Sequence, residues 1–313
     1  MDARILYTRA LLADLAYVSF QDFSNNDVVI RNANNEGRIG RSLGTYFFTE
    51  LGWSIASYHP NDISGFSATL FANGTEKVLA IRGTEIGGPL NTYQDLLKTD
   101  LAEIGILGVA ATQAVALFNY VQRLIAPAGA SNVVQLALHK SDLPPPGGTV
   151  FIDQGELAAD RYLWLEASHS GTGLGVLRPG DHVTVTGHSL GGHLAALALR
   201  LFPSLFSEAF TFNAPGFDPP LTSSRLTDQF VGLIAAFAPA APATSFESIA
   251  DRIHTLQSES SAPGDDSELV SADLTGLPPS SRTAGCGCGP RPTRSSPLAP
   301  RPRRRRTARR TGR

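Results

Sequence analysis

The chain has 313 residues, of which 42% are apolar and 17% are charged, and this composition excludes a protein that is disordered throughout. It contains no run of about 18 apolar residues, so no transmembrane segment is predicted. Residues 282–313 hold eleven arginines and no acidic residue, which leaves 15 basic and 28 acidic residues, a net charge of −13, in the first 281 positions. A body this acidic excludes a nucleic-acid-binding surface.

The first residues predict an amphipathic helix within Met1 to Phe20, because charged side chains interrupt the apolar stretch that a cleavable signal peptide needs. Both cysteines, Cys286 and Cys288, lie near the C-terminus, so no disulfide is expected in the body. Their spacing fits no four-ligand zinc site, and we expect neither a metal nor an organic cofactor. We expect a protein that is either secreted without a cleaved N-terminal signal or cytoplasmic.

The next elements begin with a hairpin. Residues 67–71 and 78–82 are short apolar runs on either side of Asn73-Gly74, a dipeptide typical of tight turns between strands. Residues 93–125 then predict helix, with a break near Gly105 or Gly108.

The following stretch adds a surface excursion, a helix and three strands. These are predicted in turn at residues 131–149, 154–169, 182–186, 209–212 and 252–257. Strands that alternate with helices favour an α/β fold with a mainly parallel central sheet and helices on both faces.

The segment Gly187-His188-Ser189-Leu190-Gly191 stands between a predicted strand and an apolar helical pattern. A serine hydroxyl on such a turn is lifted clear of the backbone, and the two glycines have no Cβ to collide with neighbouring elements. The helix N-terminus that follows directs amide groups at the reacting centre, so the Leu190 N–H is expected to donate to an oxyanion. Ser189 is therefore predicted to be a catalytic nucleophile.

Two histidines flank this serine. His188 is predicted to pack away from Ser189 because the turn is sharp. His193 lies one turn along the helix and is not expected to reach the Ser189 hydroxyl.

At these residues the chain resembles the class 3 lipases, which are α/β-hydrolases. The similarity extends over roughly residues 60 to 280 and is carried by four pieces: a nucleophile elbow at Val183–Gly192, an oxyanion strand at Ala80–Thr84, an acidic segment at Asp95–Leu101, and a strand at Thr211–Pro215 in which Asn213 replaces glycine. The cysteine-free body further resembles bacterial lipases and phospholipases of this family.

The resemblance implies further roles. Thr84 is a second oxyanion donor, and residues 85–99 form a lid that opens at a lipid–water interface. The triad order is Ser, Asp, His. The acid is then Asp266, with Asp265, Glu268 and Asp251 as alternatives.

The implied reaction is hydrolysis of a lipid ester by a triacylglycerol lipase or carboxylesterase. A phospholipase A1-type enzyme is the alternative, because the elbow does not separate the two. Peptidases and thioesterases share the elbow but fit the other pieces less well.

The pattern lacks a catalytic histidine. After Ser189 the chain has only His193 and His254, and His254 precedes the candidate acid, which is the wrong order. Removal of one triad member leaves roughly 10³–10⁴-fold catalysis over water. We therefore expect this chain to be a catalytically impaired hydrolase, or a non-catalytic product that at most binds lipid surfaces.

Residues 282–313 lack hydrophobic periodicity and predict a disordered tail, separate from a hydrolase domain at residues 1–281. One interpretation is a basic arm that touches anionic surfaces. The other is an out-of-frame translation of a GC-rich gene. We favour the second, because the composition changes abruptly where the fold still lacks its histidine.

Overall fold

The computed structural model describes residues 2–83, 103–104, 106–156, 158–178, 180–217, 224–237 and 245–257. The chain divides into two units, Met1–Leu277 and Pro278–Arg313, and every described residue belongs to the first. The predicted boundary after residue 281 and the predicted disordered tail lie outside the described residues. No helix in the described part of the chain is long and apolar enough to cross a membrane.

The helices of the described ranges are α1 Ala3–Leu15, α2 Asn26–Asn35, α3 Arg41–Thr45, α4 Ala111–Ile125, α5 Leu190–Leu201 and α6 Ser224–Ala235, with a π-helical turn at Tyr46–Glu50 and a 3₁₀-helix at Glu247–Arg252. The strands are β1 Ser54–His59, β2 Ala68–Asn73, β3 Glu76–Ile81, β4 Val133–Ser141, β5 Phe151–Asp153, β6 Tyr162–Gly171, β7 His182–His188, β8 Phe206–Phe212 and β9 Ile253–Leu256.

The central sheet has six strands in the order β1-β2-β3-β7-β8-β9. The pairs β3–β7, β7–β8 and β8–β9 are parallel, whereas β1–β2 and β2–β3 are antiparallel. The predicted hairpin is therefore confirmed, with its turn at Gly74-Thr75, where Gly74 has a φ of +59°. The fold is α/β with a mixed sheet whose parallel half contains the strand that leads to Ser189.

Alternate residues of β3 face opposite sides of this sheet. Leu79 and Ile81 are buried in a core that includes residues of α4 and α5. Val78 and Ala80 are buried in a second core with residues of α1 and α2. This alternation confirms that the strand is buried on both faces, and that helices cover both sides of the sheet.

Two predictions between residues 126 and 171 are wrong. Residues 154–169 were expected to form a helix, but Tyr162–Gly171 is strand β6; residues 131–149 were expected to be a surface excursion, but they contain strand β4. Both strands belong to an antiparallel sheet in the order β4-β6-β5. Leu163 and Leu165 are buried while the residue between them is not, so burial with a period of two residues outweighed helix propensity here.

Residues 93–102 and 105 of the predicted helix at 93–125, with the acidic segment Asp95–Leu101, lie outside the described residues. In the described part, a break falls at one of the two glycines that the sequence indicated. Gly108 has a φ of +74°, and α4 begins after it at Ala111. At the N-terminus the predicted helix is α1, and the Asp2 side chain accepts a hydrogen bond from the Arg4 backbone N–H at 2.9 Å.

Candidate active site

The backbone at Ser189 has an unusual conformation at the junction of β7 and α5. Its φ is 54° and its ψ is −128°, although serine carries a Cβ. The Ser189 N–H donates to the Phe212 carbonyl at 2.8 Å, which fixes the turn to the end of β8. Such a conformation costs a non-glycine residue about 1–3 kcal/mol and persists only where the surroundings enforce it.

The glycines on either side of Ser189 allow the backbone segments to approach closely. A Cβ on Gly187 would lie 2.2 Å from the Gly191 carbonyl carbon, and a Cβ on Gly191 would lie 2.1 Å from the Ile81 carbonyl oxygen. No side chain fits at either position. The turn is therefore packed, backbone against backbone, on the end of β3, the strand that the family resemblance implies to be the oxyanion strand.

The other side of this contact is Gly83, the last described residue before Thr84. A Cβ on Gly83 would lie 2.3 Å from the His188 carbonyl oxygen and 3.3 Å from the Gly191 nitrogen. The end of β3 thus lies directly against the turn. Thr84 itself, like the predicted lid at residues 85–99, lies outside the described residues, and its oxyanion role stays a prediction.

The first turn of α5 begins at Ser189. The Gly192 and His193 amides donate to the Ser189 carbonyl at 2.9 and 3.2 Å. Leu190 is the first residue of the helix, and its side chain packs with Ile104 and Ala110. The Leu190 amide therefore lies at a helix N-terminus, where a partial positive charge favours an anion.

His188 has a packing partner from the N-terminal part of the chain. Its Nδ1 atom lies 3.2 Å from the Tyr17 hydroxyl, and the two ring centroids are 6.3 Å apart. Burial lowers the pKa of this half-buried imidazole below its usual value, with the Asp14 carboxylate opposing the shift and Arg38 adding to it. A half-buried ring held by the Tyr17 hydroxyl agrees with the predicted packing role.

His193 is completely buried inside the first turn of α5. Its Nδ1–H donates to the Pro215 carbonyl at 3.2 Å, and its ring stacks on Phe217 with the centroids 4.1 Å apart. Burial lowers the pKa of His193 to about 4, although the Pro215 and Gly216 backbone groups oppose the shift. The ring is therefore neutral at pH 7, and its hydrogen bond joins α5 to the segment after β8.

His254 lies on β9, too far from Ser189 to act as its base. It is in register with Phe210, whereas the strand end that reaches the turn is Leu256, whose carbonyl accepts the Asn213 N–H at 2.8 Å. From strand spacings, His254 lies about 10 Å along and about 10 Å across the sheet from Ser189. Its Nε2 atom contacts the Glu208 carboxylate at 3.2 Å.

Of the four candidate acids, the structure describes only Asp251. Asp251 belongs to the 3₁₀-helix that precedes β9, so it lies at the opposite end of that parallel strand from the Ser189 turn. This alternative is therefore wrong. Asp266, Asp265 and Glu268 lie outside the described residues, and Asp266 stays a prediction. Within the described ranges no group of three His, Cys, Asp or Glu side chains could hold a metal ion.

Tyr17 is a site residue that the sequence did not indicate. Its hydroxyl lies 2.5 Å from the position that a Cβ on Gly83 would occupy, as well as near His188. It therefore touches both halves of the candidate site, the turn and the end of β3. Local sequence around Tyr17 does not predict this contact, because Tyr17 and His188 are 171 positions apart in the chain and meet only in the folded protein.

Comparisons with known proteins add little to this geometry. No protein-family model matches the chain, and no curated protein matches it. One solved structure, the Lip2 lipase from Yarrowia lipolytica, is similar at 13% sequence identity and a TM-score of 0.27. The match covers 69% of this chain and 60% of that lipase, and a likeness this distant carries no argument about function.

Proposed function

We propose that the chain is an α/β-hydrolase of the class 3 lipase type, a serine hydrolase that cleaves carboxylic esters of lipids. The proposal rests on one observation, the conformation of Ser189 between a parallel central strand and a helix. Ser189 is held at a φ of 54° between two glycines that leave no room for a side chain. Backbone strain of this kind at a non-glycine residue clusters at active sites.

The reaction that this arrangement serves is acyl transfer to water. The Ser189 hydroxyl oxygen attacks the ester carbonyl as a base takes its proton, and the carbonyl oxygen becomes an oxyanion. The Leu190 amide at the start of α5, together with Thr84, stabilises this charge. The alcohol leaves with a proton, and water then releases the fatty acid from Ser189 by the same steps.

The site as described lacks a base that could accept the Ser189 proton. None of the histidines discussed above is placed to serve Ser189: His188 contacts Tyr17, His193 is buried with a pKa of about 4, and His254 is on the wrong part of β9. These contacts favour the alternative that the chain is a catalytically impaired hydrolase. We therefore expect ester hydrolysis far below ordinary enzyme rates, at the roughly 10³–10⁴-fold over water that remains when one triad member is missing.

The test uses a fluorophosphonate probe and a short-chain nitrophenyl ester on the full chain. We expect slow labelling that Ser189→Ala abolishes and that the control Ser168→Ala, at an exposed position on β6, leaves unchanged. Labelling that survives Ser189→Ala overturns the proposal. Turnover at ordinary enzyme rates overturns the impaired state alone.

The lipid class is tested separately. Hydrolysis of tributyrin in preference to a phosphatidylcholine supports a triacylglycerol lipase or carboxylesterase. The reverse preference supports a phospholipase A1-type enzyme.

A further inference from the structure

Three large apolar side chains are more exposed than all others in the described part of the chain. Ile63 is 103% exposed, Leu143 is 74% exposed and Val150 is 72% exposed. Scattered, half-exposed apolar residues are normal on a protein surface, but side chains exposed almost completely gain most from a new apolar environment.

Ile63 lies at the same edge of the central sheet as Ser189. β1 ends at His59, which is in register with Ala68; Ala68 is in register with Ile81, and Ile81 with Gly187. The loop that carries Ile63 therefore leaves the sheet at the level of the Ser189 turn.

Leu143 and Val150 are brought to this same end by a different route. α4 begins beside the turn, because Ala110 packs with Leu190. The Lys140 ammonium donates to the Thr112 hydroxyl at 2.9 Å, which places the end of β4 beside the first turn of α4. Residues 142–150 follow directly, and Phe151 after them is 43% exposed.

The charges near these side chains do not favour an anionic partner. Residues 133–171 contain two basic side chains other than histidine, and both are paired: Lys140 with Glu103, and Arg161 with Asp153 at 2.8 Å. Asp142 is an exposed acid next to Leu143. The same range holds five acidic residues, so its net charge of −3 repels an anionic surface, whereas a surface without net charge is not repelled.

We propose that Ile63, Leu143 and Val150 form an apolar rim that inserts into a neutral lipid surface and holds the Ser189 turn against it. The rim belongs to two separate loops, so it matches a fluid surface, which needs no shape complementarity. The choice of lipid as the partner rests on the proposed function. The inference adds to that function the residues that contact the lipid.

The experiment compares two matched double variants of the full chain. Ile63→Asp/Leu143→Asp changes the rim. Ile5→Asp/Leu51→Asp changes the same residue types at positions that are 43% and 42% exposed. Both control positions are remote from the rim: Ile5 is in the first turns of α1, and the Leu51 carbonyl bonds Asn73 at the hairpin end of β2.

Flotation with phosphatidylcholine vesicles, with and without phosphatidylglycerol, measures the partition coefficient. We expect the rim variant to lower partitioning to neutral vesicles about tenfold or more, and the control variant to change it less than about twofold. Circular dichroism confirms that both variants are folded.

Three results overturn the proposal: equal losses in the two variants, no binding of the unmodified chain to neutral vesicles, or binding that requires phosphatidylglycerol. The last result assigns the contact to the arginine-rich residues 282–313 instead. Ser189→Ala should bind vesicles normally. If the rim and control variants partition equally while Ser189 is still labelled, only the proposed lipid contact is rejected. If the rim variant alone loses partitioning but Ser189 is not labelled, only the proposed hydrolase function is rejected.

Discussion

The Ser189 turn and the three-stranded sheet β4-β6-β5 are positioned by different kinds of contact. At the turn, backbone meets backbone: Gly187, Gly191 and Gly83 each leave no room for a Cβ. In the small sheet, side chains such as Leu163 and Leu165 face the core, while the loop at residues 142–150 is largely open to solvent. Added atoms should therefore destabilise the fold at the turn and be tolerated in the loop.

The largest effect is expected for Gly191→Ala. The new Cβ would lie 2.1 Å from the Ile81 carbonyl oxygen, so β3 and α5 must separate. We expect a loss of roughly 4 kcal/mol or more in the free energy of unfolding, or failure to fold. Urea unfolding followed by circular dichroism measures it, and a loss below about 1 kcal/mol contradicts the close packing described here.

A smaller effect is expected from His193→Asn, which keeps a donor for the Pro215 carbonyl but does not titrate. The unfolded ring takes up a proton below pH 6.5, whereas the folded ring resists until about pH 4. The unfolded state therefore binds more protons in this window, and the stability of the unmodified chain falls by about 3 kcal/mol as the pH drops through it. The variant should lack this loss.

Urea titrations at several pH values check the His193 prediction. His182→Asn, at an exposed position at the start of β7, is the control and should keep the loss of stability that His193 causes at low pH. A His193→Asn profile that also keeps this loss would mean that His193 is not buried as described.

Tyr17→Phe should cost less, about 1 kcal/mol, because it removes a single hydroxyl from its place beside His188 and Gly83. The variant should also slow fluorophosphonate labelling of Ser189, since the turn loses a lateral support. Tyr7→Phe, at a tyrosine that is 57% exposed on α1, is the matched control and should change neither quantity. Equal behaviour of the two variants argues against a positioning role for Tyr17.

The smallest effect is expected for Gly147→Ala in the loop between β4 and β5. A Cβ there meets nothing within 4 Å, so the free energy of unfolding should change by less than about 0.5 kcal/mol. Placed beside Gly191→Ala, the same chemical change gives opposite outcomes. A large loss at Gly147 would contradict the contrast between the two regions.

The same contrast explains which parts of the molecule could be predicted. The turn at Ser189 could be predicted from its own residues, because a Cβ on Gly187 would collide with Gly191 in the same strand–turn–helix unit. The requirement for Gly191 is long-range, since a Cβ there would collide with the Ile81 carbonyl oxygen on β3. β6 could not be predicted in this way: Leu, Glu and Ala in Tyr162–Gly171 favour helix locally, and only pairing with β4 and β5 makes the segment a strand.

The site shows the same division. The strand–turn–helix setting of Ser189 and the packing of His188 followed from local sequence, whereas the nucleophilic role of Ser189 stays a prediction. The hydroxyl of Tyr17 and the burial of His193 against Phe217 depend on long-range packing, which no local pattern encodes. The acid and the second oxyanion donor came from the family resemblance and stay predictions.

The mixed order of the central sheet also has a consequence during synthesis on the ribosome. The β2–β3 hairpin is complete early, but β7, the other neighbour of β3, emerges about a hundred residues later. Until then Val78-Leu79-Ala80-Ile81 presents an apolar, unpaired edge, which is a template for aggregation. The stability of the folded protein does not remove this hazard, because the edge is exposed before folding is complete. Low temperature or a holdase chaperone during expression should therefore raise the soluble yield of this chain.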